Sequence, residues 1–262
     1  MLGVDNAATV CKYVLQSLYL LDGFAGLLRQ RGYGIKSKRI ELMTAPHDAI
    51  DPTAAAIVKA ALLHVPFDGW GVTALASGAA DAGVEQHVVS ALFPRGPIDA
   101  IALHSRLTDA EMVTAFHALP ETPERIHLAI RTLILLRLEL VQKNKDAVRR
   151  ALTMLALPAH AKLSAELLYE TVDVMWRAAG QTDTGFSFYT RRATLGAVYS
   201  ATLLAWLADN SGDMAKTVAF LDRRLANVAS IPKVAAPLRG VKAASEQFVR
   251  TMLKTIGRRH AR

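Results

Sequence analysis

Glu124-Arg-Ile-His127 has the residue types and spacing of a helical iron ligand pair. A di-iron centre in a helix bundle takes a second Glu-x-x-His pair from a facing helix. The chain offers no second pair, so Glu124 and His127 are read as a coincidence of spacing. Zinc needs clustered Cys and His, and the single cysteine, Cys11, lies far from the other candidates. One cysteine also excludes an internal disulfide. The sequence holds no Gly-rich phosphate loop and no Gly-x-Ser-x-Gly nucleophile turn. No catalytic residue, metal or cofactor is therefore expected.

What remains is apolar and aromatic. The chain has 262 residues, of which 52 % are hydrophobic and 21 % charged. That composition supports a sizeable core. No stretch alternates with the period of a strand. Helices are expected near 52–64, 71–79, 84–92, 97–104, 108–117, 123–142, 144–156, 161–179, 186–208 and 212–229. Turns fall at Gly69, Ala82-Gly83, Phe93–Pro97, Leu119-Pro120, Leu157-Pro158 and Gly180–Gly185. The expected fold class is all-α.

The longest uncharged run, Ala193–Ala208, follows Phe186-Ser-Phe-Tyr189 and the pair Arg191-Arg192. A membrane span needs about 20 apolar residues, so this run reads as a buried helix. Leu195, Tyr199, Leu203 and Trp206 fall at spacings of four, four and three, on one helical face. With Trp176, Phe186, Phe188 and Tyr189 they form the candidate apolar site. Two readings stand for this face: the wall of a lipid cavity, or core packing. Arg191 and Arg192 either meet a head group or a partner carboxylate, or pair with Asp173 or Glu170 inside the fold.

The net charge of +8 sits at the ends of the chain. Residues 231–262 carry eight Lys/Arg against Glu246, and residues 1–42 carry six against three acids, which leaves the body at −2. Residues 1–42 have three readings: a targeting presequence, a disordered leader, or an over-called start preceding Met43, the last being the expectation. The tail, 230–262, reads as a linker with Pro232 and Pro237 and a helix from Leu238 to Ile256. Val241, Phe248, Met252, Leu253 and Ile256 supply its apolar side, and Lys242, Arg250 and Lys254 its basic side. This is the pattern of a helix lying in a membrane interface.

Residues 52–98 carry a further pattern. His64-Val-Pro-Phe-Asp-Gly-Trp70, a helix from Val72, the turn Asp81-Ala-Gly-Val84 and a helix ending in Leu92-Phe93 are similar to the helix-turn-helix of TetR-type regulators. Phosphate contacts require basic charge. From Asp51 to Pro97 the net is −2, and Glu85–Phe93 contains no Lys or Arg. The unit is read as vestigial.

His64–Trp70 occurs in order with Leu92-Phe-Pro-Arg-Gly-Pro97, Thr171-Val-Asp-Val-Met-Trp-Arg-Ala-Ala-Gly180, Phe186-Ser-Phe-Tyr-Thr-Arg-Arg-Ala-Thr-Leu195 and Phe220-Leu-Asp-Arg-Arg224. Together they resemble the accessory family of ubiquinone biosynthesis numbered nine in the coenzyme Q series, over about residues 53–229. Asp173–Gly180 and Tyr189–Leu195 are the most specific segments. The resemblance implies a TetR-like helical fold with a lipid-binding domain over 99–229, a homodimer, and a non-catalytic role. That role is to bind isoprenoid quinone intermediates and present them to the di-iron demethoxyubiquinone hydroxylase from a membrane surface. Phe188, Tyr189 and Arg192 are the implied partner contacts. The implied setting is the bacterial inner membrane, cytoplasmic side, with the matrix side of the mitochondrial inner membrane as the alternative. Ser187-Phe188 stand where the family usually has Asn-Trp. A TetR-type regulator with a lipid effector is the alternative function.

Overall fold

Asp51 starts the first helix. Its carboxylate accepts from Thr53 N at 2.7 Å and Ala54 N at 3.1 Å, and Pro52 follows at the first helical position. This satisfies donors that a helix start leaves open. In the computed structural model the described residues are 50–181 and 186–230, with side chains described for 50–181 and 191–228. The leader 1–42 and the tail 231–262 lie outside them, and so do the proposed membrane residues Val241, Lys242, Phe248, Arg250, Met252, Leu253, Lys254 and Ile256.

Among the described residues the fold is all-α, with no strand. The helices are α1 (Pro52–Ala61), α2 (Val65–Asp68), α3 (Val72–Asp81), α4 (Gln86–Leu92), α5 (Pro97–His117), α6 (Ile126–Leu140), α7 (Lys145–Leu155), α8 (Ala161–Ala178), α9 (Phe186–Ala208) and α10 (Ala215–Ser230). Two short 3-10 turns, Gln142–Asn144 and Pro158–His160, lead into α7 and α8. The chain divides into two units, Met1–Leu225 and Ala226–Arg262, and the packing below concerns the first.

Two differences from the sequence expectation have simple causes. The expected helix over 52–64 stops at Ala61 and a separate single turn, α2, follows at Val65–Asp68, because Pro66 has no N–H with which to continue the hydrogen-bond ladder of α1. The expected helices 97–104 and 108–117 are one continuous α5. No Pro or Gly interrupts residues 98–117, and the Thr108 hydroxyl folds back on the His104 carbonyl at 2.9 Å within the helix.

α1 buries Ala54, Ile57, Val58 and Ala61 on one stripe against α3. The approach is close because Gly78 has no side chain. A Cβ there would lie 2.6 Å from Ala61 N and 2.7 Å from Ile57 O. Gly83, at φ +68, then turns the chain into α4. Two hydrophobic clusters result. One joins α1, α3 and the start of α5 to Ala147, Ala151, Leu163 and Leu167. The other joins Met112 and Phe116 of α5 to α6, the C-terminal half of α8, α9 and Leu221. α8 packs on both α5 and α9 and so spans the two clusters.

Candidate functional site

α9 turns one stripe inward: Arg192, Leu195, Tyr199, Leu203 and Trp206 are all buried. The apolar four run from 9 % exposed at Leu203 to none at Trp206, and they share a cluster with Trp176, Val172 and Met175 of α8. The fold therefore brings together Trp176, Leu195, Tyr199, Leu203 and Trp206. Phe186, Phe188 and Tyr189 belong to α9, but their side chains lie outside the described residues.

Polar groups are set into this core at defined depths. Arg137 of α6 donates from Nε to Asp109 Oδ1 at 2.7 Å, from Nη1 to Tyr199 Oη at 2.6 Å and from Nη2 to Ser105 Oγ at 3.0 Å. Thr171 Oγ1 donates to Asp109 Oδ2 at 2.8 Å. Four helices, α5, α6, α8 and α9, are thus tied by one buried ion pair and its hydroxyl partners. Burial pushes the Asp109 carboxyl above the usual carboxylate range, while the guanidinium of Arg137 pulls it back. Burial alone would lower Arg137, but the charge of Asp109, the Tyr199 oxygen and the hydrogen bond to Asp109 together outweigh it, so Arg137 stays protonated. The Tyr199 hydroxyl is raised by burial and serves as a neutral hydrogen-bond group.

Toward the end of α8 lies a second cluster. Asp173 Oδ1 accepts from Arg192 Nε at 2.8 Å and lies 2.7 Å from Arg192 Nη2. Its Oδ2 lies 2.7 Å from Arg177 Nε. Arg192 is buried and Arg177 is largely exposed. Of the two readings for Arg192, the structure places it in internal pairing with Asp173, and its burial leaves little of it to meet a partner surface. Glu170 pairs with Arg106 in a two-pronged bridge, at 2.9 and 3.0 Å.

α8 ends in a defined way. Gly180 adopts φ +75, Gln181 N donates to Trp176 O at 3.2 Å, and Gly180 N donates to Arg177 O at 2.9 Å. This is the paired-bond stop of a helix closed by a left-handed glycine. It fixes the last turn, which carries Trp176 and Arg177.

The remaining candidates sit apart. Glu124 precedes α6 and His127 lies in its first turn, both exposed, so they share no interior face. Among the described residues no group of three His, Cys, Asp or Glu is arranged to hold a metal ion. No described helix is long and apolar enough to cross a membrane. In the helix-turn-helix-like unit, α4 presents Gln86, His87 and Ser90 to solvent without a basic residue, and Leu63, Phe67 and Val72 are exposed nearby in sequence.

Sequence reasoning missed Arg137 and Asp109. The signal was present: Ile130, Leu133, Ile134, Arg137, Leu138 and Val141 form a single helical stripe, and a cation at a core position implies a buried counter-charge.

The described residues thus define an all-α domain around a helix pair with a charged end and an apolar, aromatic body. A family model described as COQ9 matches residues 161–232, which span that pair. The chain is 31 % identical over 207 residues to the ubiquinone biosynthesis protein COQ9, mitochondrial, of Rattus norvegicus, covering 75 % of this chain and 64 % of that protein. It is 31 % identical over 208 residues to the Homo sapiens protein of the same name, covering 75 % and 63 %. It is 30 % identical over 177 residues to the Schizosaccharomyces pombe protein coq9, covering 65 % and 68 %. The chain belongs to the COQ9 family. It spans a little under two thirds of the length of the rat and human relatives. Both specific segments of the sequence, Asp173–Gly180 and Tyr189–Leu195, fall inside the family match.

Proposed function

We propose that this chain is a lipid-binding accessory protein of ubiquinone biosynthesis, without catalysis of its own. It binds isoprenoid quinone intermediates and presents them to the di-iron demethoxyubiquinone hydroxylase. The observation that carries this reading is the layout of α8 and α9. A charged cluster, Asp173–Arg177–Arg192, lies at the end of a line of buried apolar and aromatic side chains, Trp176, Leu195, Tyr199, Leu203 and Trp206. A polyprenyl quinone has the same layout, a polar head on an apolar tail. Its tail is costly in water, at roughly 0.8 kcal/mol per CH₂, so a reaction on the head group gains from a carrier that shelters the tail.

The names of the relatives support the pathway, and the word mitochondrial in those names supports a mitochondrial setting for them. For this chain the setting is the membrane that carries ubiquinone synthesis, bacterial or mitochondrial, reached through the basic tail segment 238–256. A homodimer is part of the same reading. DNA binding is not: residues 51–97 carry a net charge of −2 and α4 has no cation. The test is a reconstituted hydroxylase reaction with demethoxyubiquinone in vesicles. Adding the full chain raises the rate, and a rate unaltered by the chain at any concentration rejects the proposal.

A further inference from the structure

The chain has three tryptophans, and their indole N–H groups are treated differently. Trp70 Nε1 donates to Ala147 O at 2.9 Å, and Trp206 Nε1 donates to Gln142 Oε1 at 2.6 Å. Trp176 is 8 % exposed, and its Nε1 is buried with no hydrogen-bond partner among the described residues. A buried donor left unmade is costly, and folded proteins satisfy nearly all of them.

The two acids that precede Trp176 on the second half of α8 are already engaged elsewhere. Asp173, one turn earlier on α8, has Oδ1 bound to Arg192 and Oδ2 to Arg177. Glu170 is held by both prongs of Arg106. Trp176 shares its buried cluster with Val172, Met175, Leu195 and other apolar side chains, which offer none of the two to four polar contacts that a trapped water needs. The oxygen of a ligand is different. Held by its own apolar body, it needs a single donor.

We propose that Trp176 Nε1–H is the head-group donor of the ligand site, giving a hydrogen bond to a carbonyl oxygen of a quinone-type ring. This rests on the lipid-binding reading above and sharpens it. The tail supplies affinity through apolar contact, and Trp176 sets the depth of the ring and selects ligands that carry an acceptor. The Asp173–Arg177–Arg192 cluster marks the polar side of the site.

The test uses the full chain, the variant Trp176→Phe, and two ligands of equal tail: decylubiquinone, which has ring carbonyls, and decylbenzene, which has none. Phenylalanine keeps an aromatic ring and removes the N–H. Binding is measured by equilibrium dialysis. The expected result is about tenfold weaker decylubiquinone binding by Trp176→Phe, equivalent to about 1.4 kcal/mol, with decylbenzene binding unchanged. Without ligand, the urea midpoint of Trp176→Phe is expected to be no lower than that of the wild type. Equal weakening for both ligands, or none for either, overturns the assignment of Trp176 while leaving lipid binding in place. Wild-type protein that binds neither ligand overturns both readings.

Discussion

Arg137 Nε lies 2.7 Å from Asp109 Oδ1, with both side chains more than nine-tenths buried. The pair joins α5 to α6, and its hydroxyl partners extend the tie to α8 and α9. Removing one charge strands the other in a medium that solvates it poorly. Asp109→Ala or Arg137→Met is therefore expected to lower stability by about 3–5 kcal/mol. The double variant, with both charges gone, is expected to be more stable than either single one. Urea unfolding of the four proteins measures this as a double-mutant cycle. Simple additivity of the two losses would contradict a buried pair.

Tyr199 reports the same network more gently. Its hydroxyl accepts from Arg137 Nη1, and the guanidinium lies 5.3 Å from the ring centroid. Tyr199→Phe keeps the ring and leaves one guanidinium N–H without its acceptor. The expected loss is about 1–2 kcal/mol in the unfolding free energy, with the helical circular dichroism unchanged. If Tyr199 only filled space, the variant would unfold at the wild-type urea concentration.

His104 gives the fold a pH dependence. Burial lowers its pKa from 6.5 to about 4, with the positive charge of Arg137 adding to the shift and Glu111 opposing it. Its ring sits 5.9 Å from that of Trp70. Between pH 6.5 and 4 the unfolded chain binds a proton that the folded chain refuses. Stability from this residue is thus complete above pH 6.5 and falls as the pH drops toward 4, by about 2–3 kcal/mol. His104→Gln is expected to flatten the profile across that window, read as the urea midpoint at half-unit steps of pH. An equal slope in both proteins would show that His104 is not the group responsible.

Gly78 tests the packing of the helix-turn-helix-like unit. Alanine favours a helix by about 1 kcal/mol over glycine. Here, however, its methyl would press on the backbone of Ala61 and Ile57, and backbone cannot rotate aside. Overpacking of this kind costs about 1–3 kcal/mol, so Gly78→Ala is expected to destabilise by up to about 2 kcal/mol in thermal or urea unfolding. A more stable variant would mean that α1 and α3 separate freely.

Much of the fold was legible in the sequence, for identifiable reasons. Helix stops at Gly83, Leu157-Pro158 and Gly180 were marked by residues with restricted or unusual backbone preferences, and the structure has helix ends at each. The inward stripe Leu195–Tyr199–Leu203–Trp206 was visible because four-residue spacing on a helix is a geometric fact. The single α5 was less visible, since polar residues at 104–109 resemble a break. In the structure they are partly inward-facing groups: Ser105 and Asp109 point at Arg137. Which cation meets which acid depends on helix packing, so Arg137–Asp109 and Arg106–Glu170 could not be paired from spacing alone. The same holds for Trp176, whose aromatic type was legible and whose unmatched N–H was not.

The central claim is that this chain holds a lipid of the isoprenoid quinone class. Its most direct test is organic extraction of the purified full chain followed by mass spectrometry, with an unrelated helical protein purified alongside as control. The claim predicts isoprenoid quinones or their precursors in the extract, enriched over the control and approaching one molecule per chain or per dimer. An extract with no isoprenoid lipid above the control would contradict it.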